Sequence, residues 1–159
     1  MRKPIAPIVA ASVLALGGCQ YFKTSTALDP IRYQPVFDAA RACQTATVQA
    51  AVEREPILLK GTEMNGVTLL LNALSGRCPD LALYLIGQGA DPNAKMTGGL
   101  RPLHFAAKEG MLPAAKALVA RHAKVDAKAD NGKTPLDFAI EERHAEVAAY
   151  LQDAASGQR

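Results

Sequence analysis

Between Leu70 and Leu151 the sequence repeats itself with a single fixed period. Leu70, Leu103 and Leu136 are separated by a step of 33, and so are Ala73, Ala106 and Ala139, and again Leu85, Leu118 and Leu151. Ala90 with Ala123, and Pro102 with Pro135, keep the same step, with no insertion or deletion over three units. Each unit carries an apolar face too small to be stable alone, so units must stack and bury a continuous core between neighbours. The chain has 159 residues, 49% of them hydrophobic and 21% charged, which is enough for one array and leaves no room for a second large domain.

The repeated strings are TLLLNALSGR (68–77), RPLHFAAKEG (101–110) and TPLDFAIEER (134–143), with GQGADPNAK (87–95) and RHAKVDAK (121–128) following the first two. These resemble the T-P-L-H-x-A-A-x-x-G and G-A-D-x-N-A signatures of ankyrin repeats over about residues 63–151. The resemblance implies an all-α solenoid of stacked helix-turn-helix units joined by β-turn loops, with units at 63–95, 96–128 and 129–151 and a flexible tail at 152–159. One further step towards the N-terminus puts Phe37 and Ala40 at the key places of a degenerate first unit, 35–62. An unrelated N-terminal helix pair is the alternative there.

Local chemistry agrees with this period. Thr134-Pro135 and Arg101-Pro102 start first helices, because proline presets φ and lacks an N–H that would be orphaned in any case. Small Ala106, Ala107 and Ala139 let neighbouring first helices approach. Gly110 suits a left-handed turn between the two helices, and Arg77 and Arg143 at that place cost about 1 kcal/mol each if the backbone is kept. Gly89 closes a second helix where the next unit has His122. Gly66, Gly99 and Gly132 punctuate equivalent tight turns.

The N-terminus predicts a compartment. MRKPIAPIVAASVLALGGC has two basic residues, an apolar run from Ile5 to Leu16 that is too short to span a bilayer, and two glycines before Cys19. Leu16-Gly17-Gly18-Cys19 resembles a bacterial lipoprotein signal, which implies removal of residues 1–18 and lipidation of Cys19, the membrane contact being made through the lipid only. Gln20, where aspartate would imply inner-membrane retention, implies the outer membrane facing the periplasm, and residues 19–34 read as a spacer. An ordinary secretory signal or a buried N-terminal helix are the alternatives. Removal of Arg2 and Lys3 lowers the formal charge from +3 to +1, which gives no basis for nucleic-acid capture.

No cofactor or metal is expected. Asn131-Gly132-Lys133-Thr134 lacks the upstream glycine of a phosphate loop, because Ala127 stands there. His104 occupies the repeat's own T-P-L-H position, where the resemblance implies a hydrogen bond within the turn; His122 and His144 fall at helix ends and are expected at the surface. With Cys19 lipidated, Cys43 and Cys78 remain. Both fall at the turn between the helices of neighbouring units, because one repeat step before Cys78 lies position 45, two places past Cys43. They are candidates for a disulfide in an oxidising compartment, with two separate buried thiols as the alternative.

Ankyrin arrays bind proteins through turn tips and the exposed face of the first helices, which line a concave groove. By this resemblance the contact residues are Met64, Asn65 and Val67 in one strip, Thr97, Gly98, Leu100, Lys108 and Glu109 in the next, and Asp130, Asn131, Lys133, Glu141 and Glu142 in the third. Met64, Val67, Met96 and Leu100 put apolar atoms on tips where solvated residues would suffice; they either anchor a partner or pack against adjacent loops. Two functions fit a monomer of this kind: a scaffold for envelope proteins, or an immunity protein that occludes the active site of a secreted toxin such as a lipase. Catalysis would need a converging polar site that the sequence does not contain.

Overall fold

The computed structural model describes residues 29–157, so Cys19, the expected leader and most of the spacer lie outside the described residues. Within them eight α-helices follow one another: α1 (Pro30–Arg41), α2 (Thr45–Arg54), α3 (Leu69–Ser75), α4 (Pro79–Gly87), α5 (Pro102–Lys108), α6 (Leu112–Ala120), α7 (Pro135–Glu141) and α8 (Ala145–Gly157). They pair as α1/α2, α3/α4, α5/α6 and α7/α8. The first helices α1, α3, α5 and α7 stack in an inner row, and α4, α6 and α8 form the row behind. Among the described residues there is no β-strand; the only bridge joins Thr62 to Thr68. No helix in the described residues is long and apolar enough to cross a membrane.

The repeated positions form the core. Leu70 and Leu103 are buried, as are Ala73, Ala106 and Ala139 between successive first helices and Leu85, Leu118 and Leu151 along the second ones. Alanine at the inner row lets helices approach closely, and each leucine behind contributes about 1.5–3 kcal/mol by burial. α5 and α7 start at the prolines the sequence indicates, Pro102 and Pro135. Thr134 Oγ1 accepts the Asp137 N–H while the Asp137 carboxylate accepts the Thr134 N–H, which makes a capping box with Pro135 behind it. Thr68 accepts the Leu71 N–H in the same way.

The turns between paired helices are left-handed in every unit: Cys43, Arg77, Gly110 and Arg143 all have φ between 57° and 68°. His122 has φ 63° where the previous unit has Gly89 at 92°. The two arginines therefore keep the glycine backbone. At Gly110 the absence of a side chain also matters, because a Cβ there would lie 2.5 Å from the His144 ring.

The first unit departs from the expected register. Cys43 aligns with Arg77, and Ala39, whose carbonyl accepts the Gln44 N–H, aligns with Ala73, whose carbonyl accepts that of Cys78. The step there is one longer than in the rest of the array, so Ala39 and not Ala40 takes the alanine position. The extra residue lies in α2, which has 10 residues against 9 in α4 and α6. Beyond it a 3-10 turn, Pro56–Leu59, replaces the Ala-Asp-Pro-Asn loop and buries Leu58 against the array. Two boundaries also shift. α1 begins at Pro30, inside the expected spacer, and α8 continues to Gly157, so residues 152–157 are helical where a flexible tail was expected.

Candidate functional site

The turn tips form a continuous row of fingers beside the inner helices. The Thr97 N–H donates to the Asn65 carbonyl at 2.9 Å and its hydroxyl to the same oxygen at 3.2 Å, while the Asp130 N–H donates to the Gly98 carbonyl at 2.9 Å. Each tip is closed internally, by Glu63 N–H to Val67, Met96 N–H to Leu100 and Ala129 N–H to Lys133 carbonyls. These hydrogen bonds join the fingers into one ledge.

Beneath the ledge lies a depression of about 280 Å³, lined by Arg41, Val67, Leu71, Asn72, Ser75, Met96 and Phe105. Its floor comes from α3 and α5, its roof from two fingers and one end from Arg41 of α1. Met64, 76% exposed, stands on the first finger. A polar chain borders the slot: Arg41 Nη2 donates to Asn72 Oδ1 at 3.0 Å, and Asn72 Nδ2 donates to Glu63 Oε1 at 3.4 Å. Burial pushes the Glu63 carboxyl above its ordinary range, and the Arg41 charge and the Asn72 hydrogen bond pull it back. This arrangement can hold an apolar side chain with polar atoms around it. It contains no nucleophile paired with a base.

The histidines serve the fold. His104 is buried; its Nδ1 accepts the Arg101 N–H at 3.1 Å, so Nε2 carries the proton and donates to the Ala127 carbonyl at 3.0 Å. Phe138 meets the ring edge-on at 5.7 Å. Burial depresses its pKa despite these backbone hydrogen bonds. His144 is partly exposed, its Nε2 3.0 Å from the Lys108 carbonyl, and thereby links the turn before α8 to the end of α5. His122 is exposed. Among the described residues no three His, Cys, Asp or Glu side chains gather where a metal ion could be held.

Residues 69–158 match the family model for ankyrin repeats in three copies. The chain belongs to the ankyrin-repeat family. Cyclin-dependent kinase 4 inhibitor B of Homo sapiens is 33% identical over 116 residues, which cover 69% of this chain and 84% of that protein. Cyclin-dependent kinase inhibitor 2A of Homo sapiens is 40% identical over 80 residues, half of this chain and 51% of that protein. Alpha-latrocrustotoxin-Lt1a of Latrodectus tredecimguttatus is 33% identical over 117 residues, 70% of this chain but 8% of that protein. The chain thus spans about half, or far less, of the length of some of its relatives. Ankyrin repeats imply protein–protein interaction, and the all-α array described above is the ankyrin fold.

The ankyrin frame shows where each nominated contact lies. Met64, Asn65, Thr97, Gly98, Asp130 and Asn131 are exposed along the fingers; Val67 and Leu100 are half-buried at their bases. Lys108, Glu141 and Glu142 are exposed at the ends of inner helices. Glu109 pairs with Arg77 and its side chain is only 13% exposed, so it holds two units together. Lys133 pairs with Glu141 at 2.6 Å within the last unit. Those three charges have partners inside the chain. Arg41, Leu71, Asn72, Ser75 and Phe105, which build the slot, were not nominated from sequence. One signal did exist: Asn72, Phe105 and Phe138 share the repeat step at a position that the motif leaves variable. Cys43 and Cys78 are joined, with Cα atoms 5.3 Å apart, and tie the first ankyrin unit to the second.

Proposed function

We propose that this chain is a lipid-anchored ankyrin module of the bacterial envelope, held through Cys19 on the outer membrane facing the periplasm, which scaffolds envelope proteins by binding them along its fingers and inner helices. The observation that carries the binding part is the slot beneath the fingers, with Met64 exposed on the finger that supplies Val67 to its lining. An apolar depression framed by polar atoms is the usual form of an interface anchor site. The leader sequence supports the location, and the Cys43–Cys78 bond suits an oxidising compartment.

A second reading is an immunity or inhibitor protein that covers the active site of a secreted toxin such as a lipase effector. Two relatives are themselves named as kinase inhibitors, so an array of this size supports inhibition elsewhere in the family.

The test is capture. Residues 20–159, made without lipid and immobilised, should retain envelope proteins that a Met64→Glu, Lys108→Glu double variant does not, at an unchanged melting temperature. Both side chains are exposed, so the fold should tolerate the change. Equal capture by the variant would move the interface elsewhere. Retention of one stoichiometric secreted hydrolase that loses activity in the complex would favour inhibition over scaffolding.

A further inference from the structure

The junction between the second and third units contains an internal hydrogen-bonded bridge that the junction before it lacks. Asn93 inserts its carboxamide between two backbone groups of the following unit: Nδ2 donates to the His122 carbonyl at 2.9 Å, and Oδ1 accepts the Lys124 N–H at 2.9 Å. Arg101 closes the space by donating to the Asn93 carbonyl. One repeat step earlier, these places are held by Lys60 for Asn93, Gly89 for His122, Asp91 for Lys124 and Thr68 for Arg101. The Gly89 carbonyl and the Asp91 N–H make no hydrogen bond to another described residue. Both residues line a cavity of about 470 Å³ between the first two units, together with Leu59, Thr62, Ala94 and Lys95.

We infer that this cavity is a binding site for a carboxamide, the side chain of an Asn or Gln presented by a partner protein. The chain displays the required geometry once already, filled by its own Asn93, and repeats the acceptor and donor at Gly89 and Asp91 without the residue that would fill them. A carboxylate fits less well. It has no hydrogen to give the Gly89 carbonyl, and the attraction of Lys60 and Lys95 is offset by Asp91 and by the pairing of Lys95 with Asp130 at 3.6 Å. The Asp91 carboxylate is itself fixed by the Asn93 N–H at 2.8 Å, so it does not fold into the site as a substitute ligand. None of the residues lining this cavity lines the slot under the fingers, and either site can fail while the other stands.

The test uses isotopically labelled residues 20–159 with the disulfide intact, titrated with isobutyramide and separately with isobutyrate while backbone amide resonances are followed. Isobutyramide should produce saturable shifts centred on the amides of Ala90 and Asp91. Isobutyrate should bind roughly tenfold more weakly or worse, the cost of one unmatched hydrogen bond. Lys60→Asn, an exposed position in register with Asn93, should abolish the isobutyramide response by supplying the carboxamide from within. Equal or stronger binding of isobutyrate would make this a lysine-lined anion site and overturn the inference. So would non-saturating shifts, or a response unchanged in the Lys60→Asn protein.

Discussion

Reduction of the Cys43–Cys78 bond should destabilise the array by about 4 kcal/mol, the loss falling on its first unit. The two cysteines are 35 residues apart. Releasing a closed loop of that length returns chain entropy to the unfolded state worth about 4 kcal/mol at 25 °C. The bond crosses the junction between α1/α2 and α3/α4, where α2 leans on the 3-10 turn, and the other attachments include the packing of α1 and of the 3-10 turn on α3, the buried Leu58 and the Arg41–Asn72 hydrogen bond. Reduction is a cleaner perturbation than substitution, because Cys78 is buried and its removal would add a cavity cost. At about 3 °C per kcal/mol for a chain of this size, the melting temperature should fall by roughly 10 °C or more. The assay is urea unfolding of oxidised and reduced protein with thiols counted, combined with hydrogen exchange. Amides of α2 around Val48 and Val52 should lose protection while those around Leu85 and Leu118 keep it. Equal midpoints, and equal protection in α2, for a protein with both thiols free would refute this reasoning.

Three further outcomes are expected. His104 has a depressed folded pKa, and a proton on its Nδ1 would oppose the Arg101 N–H; its contribution is fully present above the ordinary value of 6.5 and is lost as pH falls below it towards the folded value, so native protein should lose more stability between neutral and mildly acidic pH than His104→Gln, and parallel pH profiles would disprove this. Gly110→Ala should cost at least about 1 kcal/mol in equilibrium unfolding from the left-handed turn alone, with an added loss as its Cβ displaces His144 from the Lys108 carbonyl; an unchanged midpoint would show that the turn relaxes freely. Cys19→Ala protein should remain unprocessed and carry no acyl label on fractionation, and normal processing with retained membrane attachment would exclude the lipid anchor.

Much of the fold was legible because repeat packing is local. A unit touches only its neighbours, so an apolar position that recurs at the repeat period recurs in the same environment, and Leu85, Leu118 and Leu151 are all buried for the same reason. His104 was legible in the same way: its motif position places both ring nitrogens against backbone groups. Periodicity fails in the two outermost described units. In the first unit the extra residue of α2 shifts the register by one, and neither the length of a helix nor the 3-10 turn after it leaves a periodic trace. In the last unit α8 runs on to Gly157, six residues past the final repeated leucine, whereas α4 and α6 end two residues past theirs.

The slot under the fingers was less legible than the fingers themselves. Turn tips can be nominated from register, since their exposure follows from where they lie in each unit. Arg41, Leu71, Ser75 and Phe105 become neighbours only when three units are stacked with a particular twist. The same stacking assigns Glu109 to Arg77, and the fold of the last unit assigns Glu141 to Lys133, removing charges that a reading by position alone leaves free for a partner. The sequence by itself determined the architecture, the repeat length, the helix starts and the candidate cysteine pair, because these depend on local propensity and on contacts between adjacent copies of one motif. Only the tertiary structure decided the depth of the slot, the internal ion pairs and the cavity at Gly89 and Asp91, because these depend on how far each unit departs from its neighbours once packed against them.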